Sequence, residues 1–301
     1  MTRPSQEPHA SHNAPHRSLG FAALAGSAAA LAVMGLLVRL AKTDFGIPPS
    51  TVAFFRFLIG ALAVVAIARA RGERLHSKSR LWFVLRGTIG AVAVWLFFYG
   101  IAEVGLAKGA IYFHTYPMWG ALMAVVVLGE RLTLGVIGAA AAAFVGLGLV
   151  MWPEGGFAQV APADLIALMG GVLAGFAVVA IRKMRATDGS LVVFLSLGVF
   201  GALVTAPAVV ASPPDTDLSG WALILGIGVL ATAGQLLLTW AYRHVRVGEA
   251  APFAMLGPVL SALAGVFILK EPLCACAIAG GAIVIAACTY ASMARRPVRT
   301  Q

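Results

Sequence analysis

The chain has 301 residues, of which 60% are hydrophobic and only 11% are charged, and its formal net charge at pH 7 is +10. An average soluble protein carries roughly 25% charged residues, and so few charged side chains cannot cover a soluble domain of this length. Lipid must therefore surround most of the surface. This excludes a secreted globular enzyme, a disordered chain and an ordinary cytosolic domain.

Ten apolar stretches have the length of membrane spans. A transmembrane helix needs about 20 mostly apolar residues at a rise of 1.5 Å per residue. The connecting segments are short, and no stretch sustains the two-residue alternation of a β-barrel strand. The sequence therefore predicts an all-α membrane protein with ten transmembrane helices. The predicted spans are 20–41, 49–69, 81–102, 107–128, 133–151, 163–183, 190–210, 219–240, 250–269 and 273–293.

The lysines and arginines predict the orientation of these spans. With the N-terminus inside, 16 of the 22 cations lie on cytoplasmic segments, four on outer segments and two within spans. The positive-inside rule then places both termini in the cytoplasm, and we expect a multi-pass protein of the cell inner membrane. Its basic charge faces anionic lipid headgroups rather than nucleic acid. Residues 1–18 are predicted to be a disordered cytosolic tail, and 295–301 a basic cytosolic tail.

The sequence offers no pattern for an enzyme, a metal site or a cofactor. His9, His12 and His16 in the N-terminal tail have no neighbouring cysteine or carboxylate cluster. A Walker motif, an HExxH pair and a nucleophile elbow are all missing from the sequence. We therefore predict a protein that is not an enzyme and that needs no cofactor.

Two segments of the sequence are similar when Pro117 is aligned with Pro258, a shift that defines the repeat offset. Eight of the 21 positions from 117 to 137 are then identical to their equivalents, including Glu130 with Glu271. Each repeat, 19–152 and 163–294, holds five spans, and an odd number gives the second repeat the opposite orientation. Such inverted repeats, related by a pseudo-two-fold axis in the membrane plane, are typical of secondary transporters.

These motifs carry a resemblance to a known family. In repeat 1, Pro117 is followed by the sequence Gly-Glu-Arg-Leu at 129–132, and in repeat 2, Pro258 is followed by Lys-Glu-Pro-Leu at 270–273. With the Arg-Phe pair at 56–57, this pattern resembles the ten-helix EamA family of the drug/metabolite transporter superfamily. Lys270 stands where that family often has glycine. The resemblance implies a central cavity between spans 1–4 and 6–9, peripheral spans 5 and 10, and export of amino acids or related metabolites.

Ionisable residues inside the spans are rare, and each is a functional hypothesis. Arg56 in span 2 could bind a substrate carboxylate or phosphate, or belong to a buried structural pair. His114, near the middle of span 4, could couple transport to protons or only hydrogen-bond between helices. Arg86, near the inner end of span 3, is expected to extend to the membrane surface. Because no carboxylate lies in the middle of a span, coupling would depend on His114 or the substrate, and otherwise transport is facilitated flow down a gradient.

Aromatic side chains complete the predicted substrate site. The repeat offset pairs Tyr99 with Trp240 and Tyr112 with Phe253. A midplane cavity lined by aromatic residues and few charges suits an amphipathic organic molecule. The predicted substrate-binding residues are Arg56, Trp95, Tyr99, Tyr112, His114, Gln235, Trp240 and Phe253.

Two prolines and two glutamates are predicted to have mechanical roles. Pro117 and Pro258 remove an amide from the fourth span of each repeat and act as hinges or as fixed kinks. Glu130 and Glu271, at helix ends, form a proton or cation site, or bind the exposed amides of the next helix.

The sequence therefore favours a secondary transporter that works by alternating access and exports a small metabolite such as an amino acid. Uptake of a nucleotide-like or vitamin compound is the alternative, and a receptor or scaffold without transport is a further one. A cavity between spans 1–4 and 6–9 favours transport, whereas a filled midplane favours a static bundle. Both a monomer and a homodimer remain open, because the small residues of 171–175 suit internal packing as well as dimerisation.

Overall fold

The fold is described from a computed structural model, which covers residues 14–129, 133–151, 161–241, 245, 253 and 255–293. Of the predicted N-terminal tail at 1–18, residues 14–18 are helical rather than disordered, and 1–13 lie outside these residues, as do the predicted C-terminal tail at 295–301 and Glu130. Over the described ranges the chain forms eleven α-helices. They are α1 Ala14–Thr43, α2 Pro49–Ala70, α3 Arg80–Val104, α4 Leu106–Phe113, α5 Tyr116–Leu128, α6 Leu134–Met151, α7 Pro162–Arg185, α8 Ser190–Ala211, α9 Leu218–Ala241, α10 Leu256–Phe267 and α11 Ala275–Met293.

The length and composition of these helices confirm the prediction of a ten-helix membrane protein. Eight helical segments of the described chain are long and apolar enough to cross a membrane, if α4 and most of α5 count as one segment, Leu106–Val127. The two remaining apolar helices, α10 and the segment Ala275–Ala291 of α11, are shorter. Large apolar side chains face outward, as at Val126 and Leu134, which are 82% and 87% exposed. A surface of this kind requires lipid as its solvent.

The helices pack in pairs that follow the repeat offset. The offset relates α1 to α7, α2 to α8, α3 to α9, α4 and α5 to the span of α10, and α6 to α11. The offset turns the pair α1 and α9 into the pair α7 and α3, and both pairs pack closely. It likewise turns the pair α2 and α9 into the pair α8 and α3, which are also in contact. Two pairs map onto themselves, α2 with α8 and α6 with α11. The inverted repeat of the sequence is therefore a repeat of the packing.

Two glycines show this symmetry at the level of single residues. A Cβ at Gly87 on α3 would overlap the Phe200 ring of α8 and lie 2.7 Å from the Ser196 carbonyl oxygen. At the equivalent position of repeat 2, a Cβ at Gly228 on α9 would overlap Ile59 of α2. Ile59 is itself the repeat 1 equivalent of Phe200. The same close helix approach is therefore built twice, and it leaves room only for glycine.

The fourth span of repeat 1 is broken in the middle of the membrane. Helix α4 ends at Phe113 and α5 begins at Tyr116. The amide of His114 still donates to the Ala110 carbonyl at 3.0 Å, but Pro117, in the first turn of α5, has no amide to continue the ladder. In repeat 2, α10 begins at Leu256, directly after a turn at Met255, the equivalent of His114. In both halves a helix thus begins just after equivalent positions.

Helices α6 and α11 lie at the periphery, and the main partner of each is the other. A Cβ at Gly146 on α6 would lie 2.7 Å from the carbonyl oxygen of Gly280 on α11. The two backbones therefore touch, as small residues at membrane helix crossings allow. This arrangement agrees with peripheral positions for spans 5 and 10.

Candidate functional site

A cavity lies between α2, α8 and α9, within the set of spans expected to surround the substrate path. It is small: its volume is about 10 Å³, roughly the space of one water molecule, whereas pockets for small molecules occupy roughly 300–1,000 Å³. In this conformation the cavity is therefore too small for an organic substrate. Its lining is mainly apolar, with Arg56 as the charged side chain, and consists of Arg56, Phe57, Gly60, Phe194, Leu197, Gly198, Ala231 and Thr232.

Arg56 reaches this cavity from α2 and is buried, with 9% of its surface exposed. Its guanidinium carbon lies 5.2 Å from the centroid of the Phe57 ring and 5.6 Å from that of Phe98. Aromatic faces attract a cation, but they do not accept its hydrogen bonds in the way a carboxylate does. The Arg56 Nε atom is buried and has no hydrogen-bond partner among the described residues.

Arg86 does not extend to the membrane surface, so that expectation from the sequence is wrong. It is only 6% exposed, and its guanidinium lies against Gly90, one turn further along α3 and deeper in the membrane. A Cβ at Gly90 would overlap Arg86 Nη1, so glycine leaves the space that the guanidinium fills. Both arginines lie near Leu197 of α8: its Cδ1 is 3.3 Å from the Gly90 Cβ position that Arg86 Nη1 overlaps, and Leu197 and Arg56 line the same cavity.

His114 lies at the break between α4 and α5. Its Nδ1 donates to the Ala110 carbonyl oxygen at 2.8 Å. Its ring is close to aromatic side chains, with centroid distances of 5.7 Å to Phe113 and 6.0 Å to Tyr116. On the other side, a Cβ at Gly257 of α10 would lie 3.4 Å from His114 Nε2. His114 therefore sits where the break in repeat 1 meets the start of α10 in repeat 2.

Tyr112 is fully buried and ties α4 to α7. Its hydroxyl donates to Asp164 Oδ1 at 2.8 Å. Its backbone carbonyl accepts from the Thr115 hydroxyl, which in turn accepts from Trp119 Nε1 at 3.1 Å. This chain of hydrogen bonds links α4, α5 and α7 at a place that does not line the cavity.

The remaining predicted residues are spread over several surfaces. Trp95 on α3 is half-buried and packs against the core that includes Phe57 and Phe98. Tyr99 and Gln235 are half-buried on α3 and α9. The Phe253 ring lies 5.0 Å from that of Phe21 on α1. Trp240 is 40% exposed at the end of α9, a position typical of the aromatic belt at a membrane interface.

Of the eight predicted substrate-binding residues, Arg56 is therefore the one that lines the described cavity. Sequence reasoning missed Phe194 and Thr232, and it misjudged Arg86. The repeat offset could have found the face of α8, because Leu197 is the equivalent of Arg56 and α2 packs directly on α8. No sequence signal shows which way a long side chain such as Arg86 turns.

Glu271 joins the two repeats at one end of the molecule. Its Oε1 accepts from the amide of Leu106 at 2.9 Å and its Oε2 from the amide of Ala107 at 3.2 Å. Its Oε1 also lies 3.2 Å from Nε of Arg39, whose Nη1 donates to the Ala102 carbonyl. The expected contact with the helix that follows is therefore wrong: the glutamate binds the first amides of α4, in the other repeat. Carboxylates are stabilising at such helix N-termini.

Asp188 joins the two repeats through the loops on the other side of the spans. Its Oδ1 accepts from the backbone amide of Lys78 at 2.8 Å and its Oδ2 from the Thr187 hydroxyl at 2.7 Å. Burial alone raises the pKa of this carboxyl group, but hydrogen bonds, including one from the Ser79 amide, outweigh it and lower the pKa below the ordinary value. The charged form of Asp188 therefore holds the α2–α3 loop against the α7–α8 loop.

Comparisons with known proteins agree with the fold. The EamA-like transporter family matches twice, over residues 18–152 and 161–293. The chain is 30% identical over 267 residues to a pseudopaline exporter of Pseudomonas aeruginosa, covering 88% of this chain and 92% of the relative. It is 22% identical over 245 residues to a riboflavin transporter of Vibrio cholerae, covering 78% and 80%. A crystal structure with 19% sequence identity superposes with a TM-score of 0.63 over 93% of this chain and 97% of the other.

Proposed function

Because the chain belongs to the EamA-like transporter family, we propose that this membrane transporter exports a small organic metabolite across the inner membrane by alternating access. The observation that carries the proposal is the paired packing of the inverted repeats. Since α3 lies on α7 as α1 lies on α9, each half can adopt the arrangement of the other. States open to either side then have comparable energies.

The small cavity and the contacts that join the repeats at both ends support an occluded intermediate in this cycle. Glu271 ties the repeats together at one end of the spans, and Asp188 ties them at the other. The cavity with Arg56 lies between α2, α8 and α9, and it is smaller than a substrate requires. Opening either side would enlarge it. Release of one junction at a time, with the other intact, is the sequence of events that alternating access needs.

Relatives support a small metabolite as the cargo, and one of them supports export as the direction. The relative that is 30% identical over nearly its whole length is named an exporter of pseudopaline, and we propose an amino acid or related metabolite as the substrate here. Uptake of a vitamin is the second candidate, and the similarity to a riboflavin transporter supports the vitamin as cargo. Both termini are proposed to face the cytoplasm, in line with the positive-inside rule.

His114 is the proposed site of proton coupling. It is a titratable side chain where α4, α5 and α10 meet: it hydrogen-bonds to α4 and lies beside Gly257 of α10. A change of charge there would alter the packing of the two repeats against each other. If His114 does not couple protons, transport is facilitated flow down the substrate gradient.

Flux into proteoliposomes tests the function. We expect at least one substrate from a panel of amino acids, nucleotides and vitamins to move faster than into empty vesicles. The pH gradient should change this flux in the wild type and not in His114→Ala. His76→Ala, in an exposed loop, is the matched control. A panel in which nothing moves contradicts the transport proposal, and an unchanged pH dependence in His114→Ala contradicts the coupling proposal.

A further inference from the structure

We propose that Arg56 and Arg86 together form a binding site for the carboxylate group of the transported substrate. This inference rests on the proposed function and specifies its substrate class: small organic molecules with one carboxylate and an apolar part. The site lies inside the bundle, between α2 and α3 of repeat 1 and the facing helices α8 and α9.

The first argument is the uncompensated charge of the pair. Arg56 is 9% exposed and Arg86 is 6% exposed, and each has a buried Nε with no hydrogen-bond partner among the described residues. In the same part of the chain, no carboxylate forms an ion pair with either arginine; the carboxylates with cationic partners there are Glu271, Glu103 and Glu73. Buried charges in proteins are normally paired, because an isolated charge loses its hydration without compensation. Two neighbouring buried cations therefore require an anion that the described chain does not supply.

The second argument is the direction of Arg86. A cation six residues from the start of α3 could reach the membrane surface with little cost. Its guanidinium instead lies over Gly90, in the space that a Cβ would fill. The absence of a side chain at position 90 thus directs the charge toward Arg56. An arginine with a purely interfacial role has no need for this space.

The third argument is the asymmetry of the repeat. At the equivalent positions of repeat 2, Arg56 is replaced by Leu197 and Arg86 by Ile227. Both of these are buried in the apolar core. The fold therefore builds the same helix positions without any charge in repeat 2. Helix packing at these positions therefore does not require the two arginines, which leaves ligand binding as the reason for their charge.

The surroundings define the rest of the ligand. The cavity beside Arg56 is lined by Phe57, Phe194 and Leu197, with the Thr232 hydroxyl as a further polar group. The planar fork of a guanidinium matches the two oxygens of a carboxylate. The aromatic and aliphatic side chains then contact the apolar part of the same molecule. The pattern fits an amphipathic monocarboxylate, of which an aromatic amino acid is one example.

Ligand-induced thermal stabilisation of the purified protein in detergent tests this site without any transport step. We use phenylacetate as the carboxylate probe, phenylacetamide as its neutral analogue and phenyl phosphate as a second anion. Phenylacetate should raise the melting temperature of the wild type, as any ligand of the folded state does. Phenylacetamide should not. Equal shifts with phenylacetate and phenylacetamide overturn the proposal, and stabilisation by phenyl phosphate alone overturns the assignment to carboxylates.

Variants identify the arginines as the cause. Arg56→Gln and Arg86→Gln should abolish the shift with phenylacetate, and Arg69→Gln, an exposed arginine on the same helix as Arg56, should retain it. Gly90→Ala keeps both charges but displaces the Arg86 guanidinium, so it should weaken phenylacetate binding at least tenfold. This variant keeps the test decisive if a glutamine variant fails to fold. Full phenylacetate binding in both glutamine variants, or in Gly90→Ala, shows that the arginines are structural.

Flux measurements separate this inference from the proposed function. If phenylacetate binds in an arginine-dependent way but no carboxylate crosses the membrane, the site stands and transport fails. If a carboxylate substrate moves at the same rate in the wild type, Arg56→Gln and Arg86→Gln, transport stands and the site is overturned.

Discussion

Replacing Glu271 by glutamine should weaken the contact that joins the start of α4 to repeat 2. The wild-type carboxylate is 12% exposed, lies 3.2 Å from Arg39 Nε, and accepts from the amides of Leu106 and Ala107 at 2.9 and 3.2 Å. Hydrogen bonds to a charged group contribute about 1.5–3 kcal/mol each, against about 0.5–1.5 kcal/mol for neutral ones. Losing the charge at two amides and at Arg39 should therefore cost about 2–3 kcal/mol at this junction.

Hydrogen exchange at the first amides of α4 measures this cost directly. Leu106 and Ala107 lie in the first turn of the helix, where an amide has no partner within the helix, so Glu271 is the acceptor that protects them. A tenfold change in an equilibrium corresponds to about 1.4 kcal/mol. Glu271→Gln should therefore speed exchange of the peptide that begins at Gly105 by about 30- to 100-fold. Arg39→Gln, which keeps the carboxylate on both amides, should give a smaller increase.

Glu103→Gln is the matched control, since Glu103 precedes α4 by only a few residues and carries the same charge. Its ion pair with Lys42 has an N–O distance of 3.0 Å, but the two side chains are 34% and 40% exposed. Exposed pairs contribute about 0–1 kcal/mol, so exchange at the start of α4 should rise less than about fivefold. Equal exchange rates in the Glu271 and Glu103 variants would refute the reasoning, because the capping geometry would then contribute nothing.

Two further predictions concern packing and pH. Gly87→Ala should lower the free energy of unfolding by about 1–3 kcal/mol in thermal unfolding, because the added methyl overlaps α8. Gly138→Ala, with open space around the added methyl, should be neutral or stabilise the protein by up to about 1 kcal/mol. A loss of stability in Gly138→Ala as large as that in Gly87→Ala contradicts the packing argument. Asp188→Asn should destabilise the protein at pH 7, because the folded-state pKa of Asp188 is lowered. Its carboxylate therefore stabilises the fold at pH values above 3.8, the ordinary pKa of an aspartate. This contribution is lost as the pH falls through the lowered pKa. Unfolding measured at several pH values checks this prediction. A stability difference between wild type and Asp188→Asn that grows below pH 3.8 contradicts it.

The sequence predicted the spans well because lipid imposes a simple requirement. Every backbone polar group must be satisfied within its own helix, so apolar length alone marks a span. The repeat could also be predicted from the sequence, since Pro117 and Pro258 stand at equivalent positions of the two halves. The residues at which the fourth span breaks could not be predicted, because they depend on how the turn at His114 packs against α10.

The candidate site was less predictable because its contacts are distant in sequence. Glu271 and Leu106 are 165 residues apart, and a helix-end carboxylate could bind the amides of any neighbouring N-terminus. The direction of Arg86 depends on a glycine four residues later, which looks like any other small residue in a membrane helix. Trp240 and Tyr99 are equivalent under the repeat offset but differ in exposure, since a repeat preserves the backbone and not the neighbours of each side chain.

The contacts that map onto themselves, α2 with α8 and α6 with α11, have a consequence for the energetics of the proposed cycle. If the two halves exchange conformations, these contacts are the same before and after, so they add equally to the inward-facing and outward-facing states. The preference for one state must then come from helix pairs that exchange places and whose residues differ, such as those with Arg86 on α3 and its equivalent Ile227 on α9. A few substitutions at such positions would be enough to change the resting side of the transporter, while the fold that carries it stays intact.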